Sequence, residues 1–148
     1  AVGGSLDVSS SHGLVTLRCD LLIEAADMSD GDVLILPGGN PGYVNLRQSE
    51  AVCNIVREYY NSDRLIAAIC GAPTVFAAAG IAHNKSMTCH GSVKSEMAGY
   101  NLVDSSIVHN GNILTASGAG HSISFGIAIA KCLVDAETLL RTQQGMEL

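Results

Sequence analysis

Apolar and polar residues alternate in several distinct rhythms along this chain, and the rhythms predict its elements. Asp32-Val33-Leu34-Ile35-Leu36-Pro37 and Leu65-Ile66-Ala67-Ala68-Ile69 are unbroken apolar runs. That is the pattern of strands covered on both faces, as in a parallel sheet. Between them Val52, Ile55, Val56, Tyr59 and Tyr60 recur at the spacing of one helix face, which predicts a helix over Ser49–Asn61. Strand, helix and strand make a βαβ unit with a right-handed crossover. Leu6–Ser10 and Gly13–Leu17 read as two short strands around a turn, and Lys85–Cys89 as a further short strand. Ser106–His109 and Ile113–Ala116 flank Asn110-Gly111, a strong hairpin signal. Ser122–Val134 is apolar almost all round and predicts a buried helix. Ala136–Gln144 predicts a last helix with Asp135 as its N-cap. The sum is one α/β domain over 1–148, a flavodoxin-like three-layer sandwich with a mainly parallel sheet.

Composition narrows the function classes. The 148 residues are 47% apolar and 15% charged, with no tryptophan, enough for a single well-filled core. A net charge of -6 argues against nucleic acid or an anionic membrane surface as partner. No apolar run reaches the roughly 18 residues that span a bilayer. Five cysteines, an odd number with no CxxC pair, favour free thiols and a cytoplasmic, reducing setting over a disulfide framework. Cys53 and Cys132 fall in helices and are expected to be inert core thiols. Cys19 and Cys89 stay unassigned.

The candidate chemistry centres on Cys70. It closes the strand Leu65–Ile69 and opens Gly71-Ala72-Pro73-Thr74-Val75-Phe76-Ala77-Ala78-Ala79, a stretch that predicts a helix. A thiol on so tight a turn meets a helix N-terminus, where unpaired N–H groups favour negative charge and a reactive thiolate. Gly38 and Gly39 end the preceding strand, so they reach the same edge of the sheet and can present bare N–H groups. Gly71 supplies the N–H just after the nucleophile. This is the layout of a nucleophile elbow with an oxyanion hole. His90 ends another strand at that edge and is the candidate base or acid. Blander readings stand beside these: a buried structural thiol, a polar strand-end histidine, a tight glycine turn. Cys89-His90 lacks further ligands at useful spacing, so no metal is expected. Gly118-Ala119-Gly120 ahead of a helix looks like a phosphate cradle but lacks the full dinucleotide fingerprint. His121 beside it is the remaining histidine of interest.

These residues resemble the DJ-1/ThiJ/PfpI superfamily. The stretches that carry the likeness are Asp32–Asn40, Leu65–Thr74, Met87-Thr88-Cys89-His90 and Ile113–Gly120, in order and at matching spacing across nearly the whole chain. The resemblance implies that Cys70 is the family's oxidisable nucleophile, with His90 nearby and Gly38, Gly39 and Gly71 around the thiol. His12 stands where close relatives carry an arginine near a dimer interface, so it marks an interface or anion contact. The peptidase-like branch has histidine directly after the nucleophile; Gly71 there favours the branch of the Parkinson-disease protein and its bacterial ThiJ-like relatives. The family also begins with a strand and a helix absent here, on the order of 35 residues. That helix carries a glutamate that contacts the cysteine. The 148 residues are therefore expected to be a fragment: a truncated chain, a nicked one, or one accompanied by a separate N-terminal peptide of the same protein.

The implied activity is that of a cofactor-free, cysteine-dependent glyoxalase or deglycase. It would act on small reactive carbonyls such as methylglyoxal and glyoxal, or on their adducts, as a homodimer. An alternative is an oxidative-stress sensor or chaperone working through oxidation of Cys70. A PfpI-type cysteine peptidase is the third reading.

Overall fold

The computed structural model describes all residues, Ala1–Leu148. In chain order the elements are β1 (Asp7–Ser9), β2 (Thr16–Arg18), β3 (Val33–Leu36), α1 (Gly42–Gln48), α2 (Glu50–Asn61), β4 (Leu65–Ile69) and α3 (Thr74–Ala79). There follow β5 (Ser86–Met87), β6 (Asn101–Leu102), β7 (Ile107–Asn110), β8 (Ile113–Ala116), α4 (Ser122–Leu133) and α5 (Ala136–Gly145). The main sheet runs β3-β4-β8-β7. Its first three strands are parallel, Leu36 facing Ala68 and Ile69 facing Ala116, and β7 is antiparallel. The predicted α/β sandwich with a mainly parallel sheet is the fold observed.

Side chains alternate across this sheet as the pleat requires. Leu34, Leu36, Ile66, Ala68 and Ile113 point to one face and join Val52, Val56, Val75 and Phe76 in the larger core cluster under α2 and α3. Ala67, Leu114 and Ala116 point to the other and meet Phe125 and Ile129 of α4. The outer edge of β3 carries no partner strand, and Ile35 there is 50% exposed. Beside it lies an apolar groove of about 380 Å³, bounded by Val2, Ile23, Leu46 and Ile55 among others.

Local chemistry explains most boundaries. Ser49 caps α2 by accepting a hydrogen bond from the Val52 N–H, and Asp135 caps α5 by accepting from Thr138. The hairpin forms one residue later than its dipeptide suggests. Asn110 pairs with Ile113, so the loop is Gly111-Asn112, with Gly111 at φ +63°.

Four expectations need correction. α1 was not predicted: the cluster Gly38-Gly39-Asn40-Pro41-Gly42 reads as a loop, yet the chain turns helical at Gly42. Lys85–Cys89 shortens to Ser86–Met87 and pairs with β6 rather than joining the main sheet. The helix after Cys70 begins only at Thr74, with Pro73 as its N-cap, so a turn separates the thiol from the helix. Finally, α4 buries only Phe125 and Ile129 and leaves Ile123 57% exposed. Cys132 on that helix is exposed rather than a core thiol. An all-apolar pattern says that a helix can be covered, not that anything covers it.

Candidate functional site

Cys70 sits in the left-handed region at φ +66°, a conformation that costs a non-glycine residue about 1–2 kcal/mol. Strain of this kind persists where surrounding structure over-determines it. Here two backbone hydrogen bonds clamp the residue. Its N–H donates to the Ala116 carbonyl at the end of β8, and its carbonyl accepts from the His90 N–H, both at 2.9 Å. The turn that follows is held by the Ala72 N–H donating to the Ile69 carbonyl and by the Thr74 hydroxyl donating to the Gly71 carbonyl at 2.7 Å. The result is a sharp strand-to-helix elbow with the thiol partly exposed at its tip.

Glycine is required around this tip. A Cβ on Gly38 would lie 2.6 Å from the Cys70 Cβ and 2.7 Å from the Ile69 carbonyl oxygen. Neither is a flexible group that can step aside, so Gly38 lets two backbone segments touch. Gly39 adopts φ +88°, open only to glycine at low cost. A Cβ on Gly71 would run into the Tyr43 ring at 2.6–2.8 Å. Tyr43 of α1 thus fills the place of a side chain at 71, and a histidine there would collide with it. The N–H groups of Gly38, Gly39 and Gly71 donate to no acceptor within the protein. Three free donors therefore gather along the loops that meet at Cys70.

His90 reaches the same place by backbone and by ring. Besides its hydrogen bond to the Cys70 carbonyl, its ring lies against Gly118, where an added Cβ would be 3.5 Å from Cδ2. Its Nδ1 caps the 3-10 segment Gly91–Met97 by accepting the Ser92 N–H at 3.2 Å, with the Ser92 hydroxyl 2.8 Å away. A backbone N–H can only donate, so Nδ1 is an acceptor and the neutral ring carries its proton on Nε2. His90 is exposed at the crevice rim.

The thiols differ sharply in setting. Burial pushes the Cys53 thiol up from its ordinary range, opposed by the Arg57 charge. Burial likewise pushes Cys89 up; the nearby Lys94 ammonium opposes this and the nearby Cys70 adds to it. Both are core residues.

Of the residues singled out from sequence, Cys70, Gly38, Gly39, Gly71 and His90 converge. His12 does not: it lies exposed in the β1–β2 turn, its ring 3.1 Å from the Ser11 hydroxyl. Gly118 joins the site as a wall for His90 rather than as a phosphate cradle. Tyr43 and its neighbour Arg47 were missed. Arg47 stacks 5.6 Å from the Tyr43 ring and pairs with Glu96, tying α1 to the segment that His90 caps. Only the approach of distant elements reveals them. No three His, Cys, Asp or Glu side chains gather closely enough to hold a metal ion.

Residues 2–132 match the DJ-1/PfpI family model. The chain is 37% identical over 142 residues to Protein DJ-1alpha of Drosophila melanogaster, covering 94% of this chain and 65% of that one. It is 34% identical over 108 residues to the glutathione-independent glyoxalase DJR-1.2 of Caenorhabditis elegans, covering 72% of this chain and 57% of the relative. The chain thus spans about two thirds or less of the length of these two relatives. The crystal structure of Drosophila melanogaster DJ-1beta superposes with a TM-score of 0.91 at 33% identity, over 99% of this chain and 78% of that one. The match runs through the β3 turn, the Cys70 elbow and the His90 cap alike, and this chain belongs to the DJ-1/PfpI family.

Proposed function

We propose that this protein is a cofactor-free glyoxalase or deglycase whose nucleophile is Cys70. The observation that carries this reading is the clamped left-handed elbow, which offers a partly exposed thiol in contact with Gly38, while the N–H groups of Gly38, Gly39 and Gly71 have no acceptor within the protein. The Cys70 sulfur adds to the aldehyde carbon of a small carbonyl such as methylglyoxal. A C–S bond forms, and the carbonyl π electrons move to oxygen. Gly39 and Gly71 N–H groups hold that oxyanion. The proton that the thiol gives up reaches that oxygen through solvent at the crevice rim, with the His90 Nε2–H donating to the relay, and the hemithioacetal is complete. Rearrangement then oxidises the aldehyde carbon to a thioester while the neighbouring ketone is reduced to an alcohol. Water cleaves the thioester, releasing a hydroxy acid and the free thiol. One water is consumed and no external oxidant is needed. The worm relative, named a glutathione-independent glyoxalase, supports the same chemistry.

Two features support the wider expectations. Leu14, 87% exposed, and Leu17 lie on the β1–β2 hairpin with His12 at its turn, an apolar surface suited to a homodimer contact. The open β3 edge and its apolar groove suit a separate N-terminal peptide carrying the expected glutamate. Free cysteines fit a cytoplasmic setting, and no helix is long and apolar enough to cross a membrane.

The test is methylglyoxal turnover without glutathione. The reading expects lactate to appear one for one with methylglyoxal lost. Absence of lactate overturns it. The sensor reading rests on the partly exposed Cys70 standing at the elbow next to backbone N–H groups that have no acceptor in the protein, a setting for a thiolate; exposure separates it from the buried Cys53 and Cys89 but not from Cys19 or the exposed Cys132. Peptide mass spectrometry after mild peroxide would then show two added oxygens at Cys70 ahead of the other thiols. The Tyr43 ring against Gly71 weighs against the peptidase reading.

A further inference from the structure

Beside His90 lies a second concavity, of about 440 Å³, that the chemistry above does not use. Its size falls within the roughly 300–1,000 Å³ of small-molecule sites. It adjoins the crevice because Cys89 and Gly91, the chain neighbours of His90, border it, as does Ser117, the neighbour of Gly118. Lys94 enters it from the segment that His90 caps, Asp104 from the connection between β6 and β7, and His121 from the turn ahead of α4. The Ser117 N–H donates to the Ser106 carbonyl at 3.0 Å and joins the two sides of its wall.

The two charged side chains at this pocket, Lys94 and Asp104, are exposed to solvent. Lys94 and Asp104 have opposite sign and share one concavity, yet neither pairs with the other or with any protein group. The His121 ring and the Ser106 and Ser117 hydroxyls also have no partner in the protein. A bare anion would meet the Asp104 carboxylate, and a bare cation the Lys94 ammonium. A ligand carrying both charges satisfies both.

We propose that this pocket binds the zwitterionic headgroup of a free α-amino acid. Lys94 takes the carboxylate, helped by the serine hydroxyls, and Asp104 accepts from the ammonium. A carbonyl adduct on that amino acid's side chain is then held near Cys70; this last step rests on the carbonyl chemistry proposed above, whereas the binding does not.

The probe is glycine, which is headgroup alone, titrated into the full chain and followed by amide NMR. We expect saturable shifts at Ser106, Ser117 and His121. Acetate and methylammonium should each bind at least about tenfold more weakly, as should glycine to Lys94→Ala or Asp104→Ala. Both side chains lack protein partners, and unchanged melting temperatures will confirm that the variants fold. No saturable shift with glycine, or acetate binding as well as glycine, overturns the proposal. Lack of methylglyoxal turnover would instead strike the reading of Cys70 and leave the glycine titration to decide the pocket.

Discussion

The two faces of the central sheet are built to different standards. Under α2 and α3, Ile66, Ala68 and Ile113 are fully buried in a cluster with Phe76, Val75 and Val56, each with no exposure. On the opposite face the buried cluster has only five members, Ala67, Leu114, Ala116, Phe125 and Ile129, edged by partly buried residues such as Val33 and Ile107, while Ile35 and Ile123 stand half in water. The elbow joins these regions, because β4 contributes to both faces and α3 belongs to the dense one. A strained Cys70 needs a rigid frame, and the well-packed face with its clamping hydrogen bonds supplies it.

The comparison breaks most visibly by truncating one aromatic on each face. Phe76→Ala leaves an enclosed cavity and should cost about 3–5 kcal/mol. Set against a typical total of about 5–15 kcal/mol, that is enough to loosen the elbow. Phe125→Ala opens onto a face that water already reaches, so its cost should fall at or below the bottom of that range. Urea unfolding of both variants measures the pair, and equal costs would refute the asymmetry.

A smaller effect tests the strain itself. At an ordinary position glycine is less stable than alanine, but at φ +66° the order should reverse. Cys70→Gly should exceed Cys70→Ala in stability by about 1 kcal/mol. Alanine equal to or above glycine would mean the elbow is not strained.

The smallest effect concerns the outlying α5, which buries no residue. Hydrogen bonds from the Thr138 backbone N–H and then its side chain hold the Asp135 carboxyl below the usual carboxylate range. A group depressed on folding stabilises above its unfolded pKa and loses that contribution as pH falls through its folded value. Asp135→Asn should therefore match the parent in strong acid and differ slightly at neutral pH. Helicity by circular dichroism against pH measures this.

Much of this was legible in the sequence because it is local. Leu65–Ile69 is a strand where its apolar run places it, and Ser49 and Asp135 cap the predicted helices. The elbow showed through because Cys70, Gly38 and Gly39 terminate adjacent parallel strands. What stayed hidden is non-local. α1 is a seven-residue helix after a Pro-Gly turn, and its contacts come from Tyr43 on Gly71 and Arg47 with Glu96. Short helices of that kind have little stability of their own. The double duty of His90, as cap and crevice wall, depends on the approach of Ser92 and Gly118, which no spacing announces. Nor does an apolar helix such as α4 disclose how little of it is covered.

Whether Cys70 is the nucleophile is decided by methylglyoxal turnover of Cys70→Ser. The exposed Cys132→Ser serves as control, with melting temperatures confirming that both variants fold. Cys70→Ser should lose about a thousandfold or more in kcat/KM for methylglyoxal, equivalent to about 4 kcal/mol of transition-state stabilisation, while Cys132→Ser stays within about twofold of the parent. A folded Cys70→Ser variant that keeps more than about a tenth of the activity would contradict Cys70 as the nucleophile.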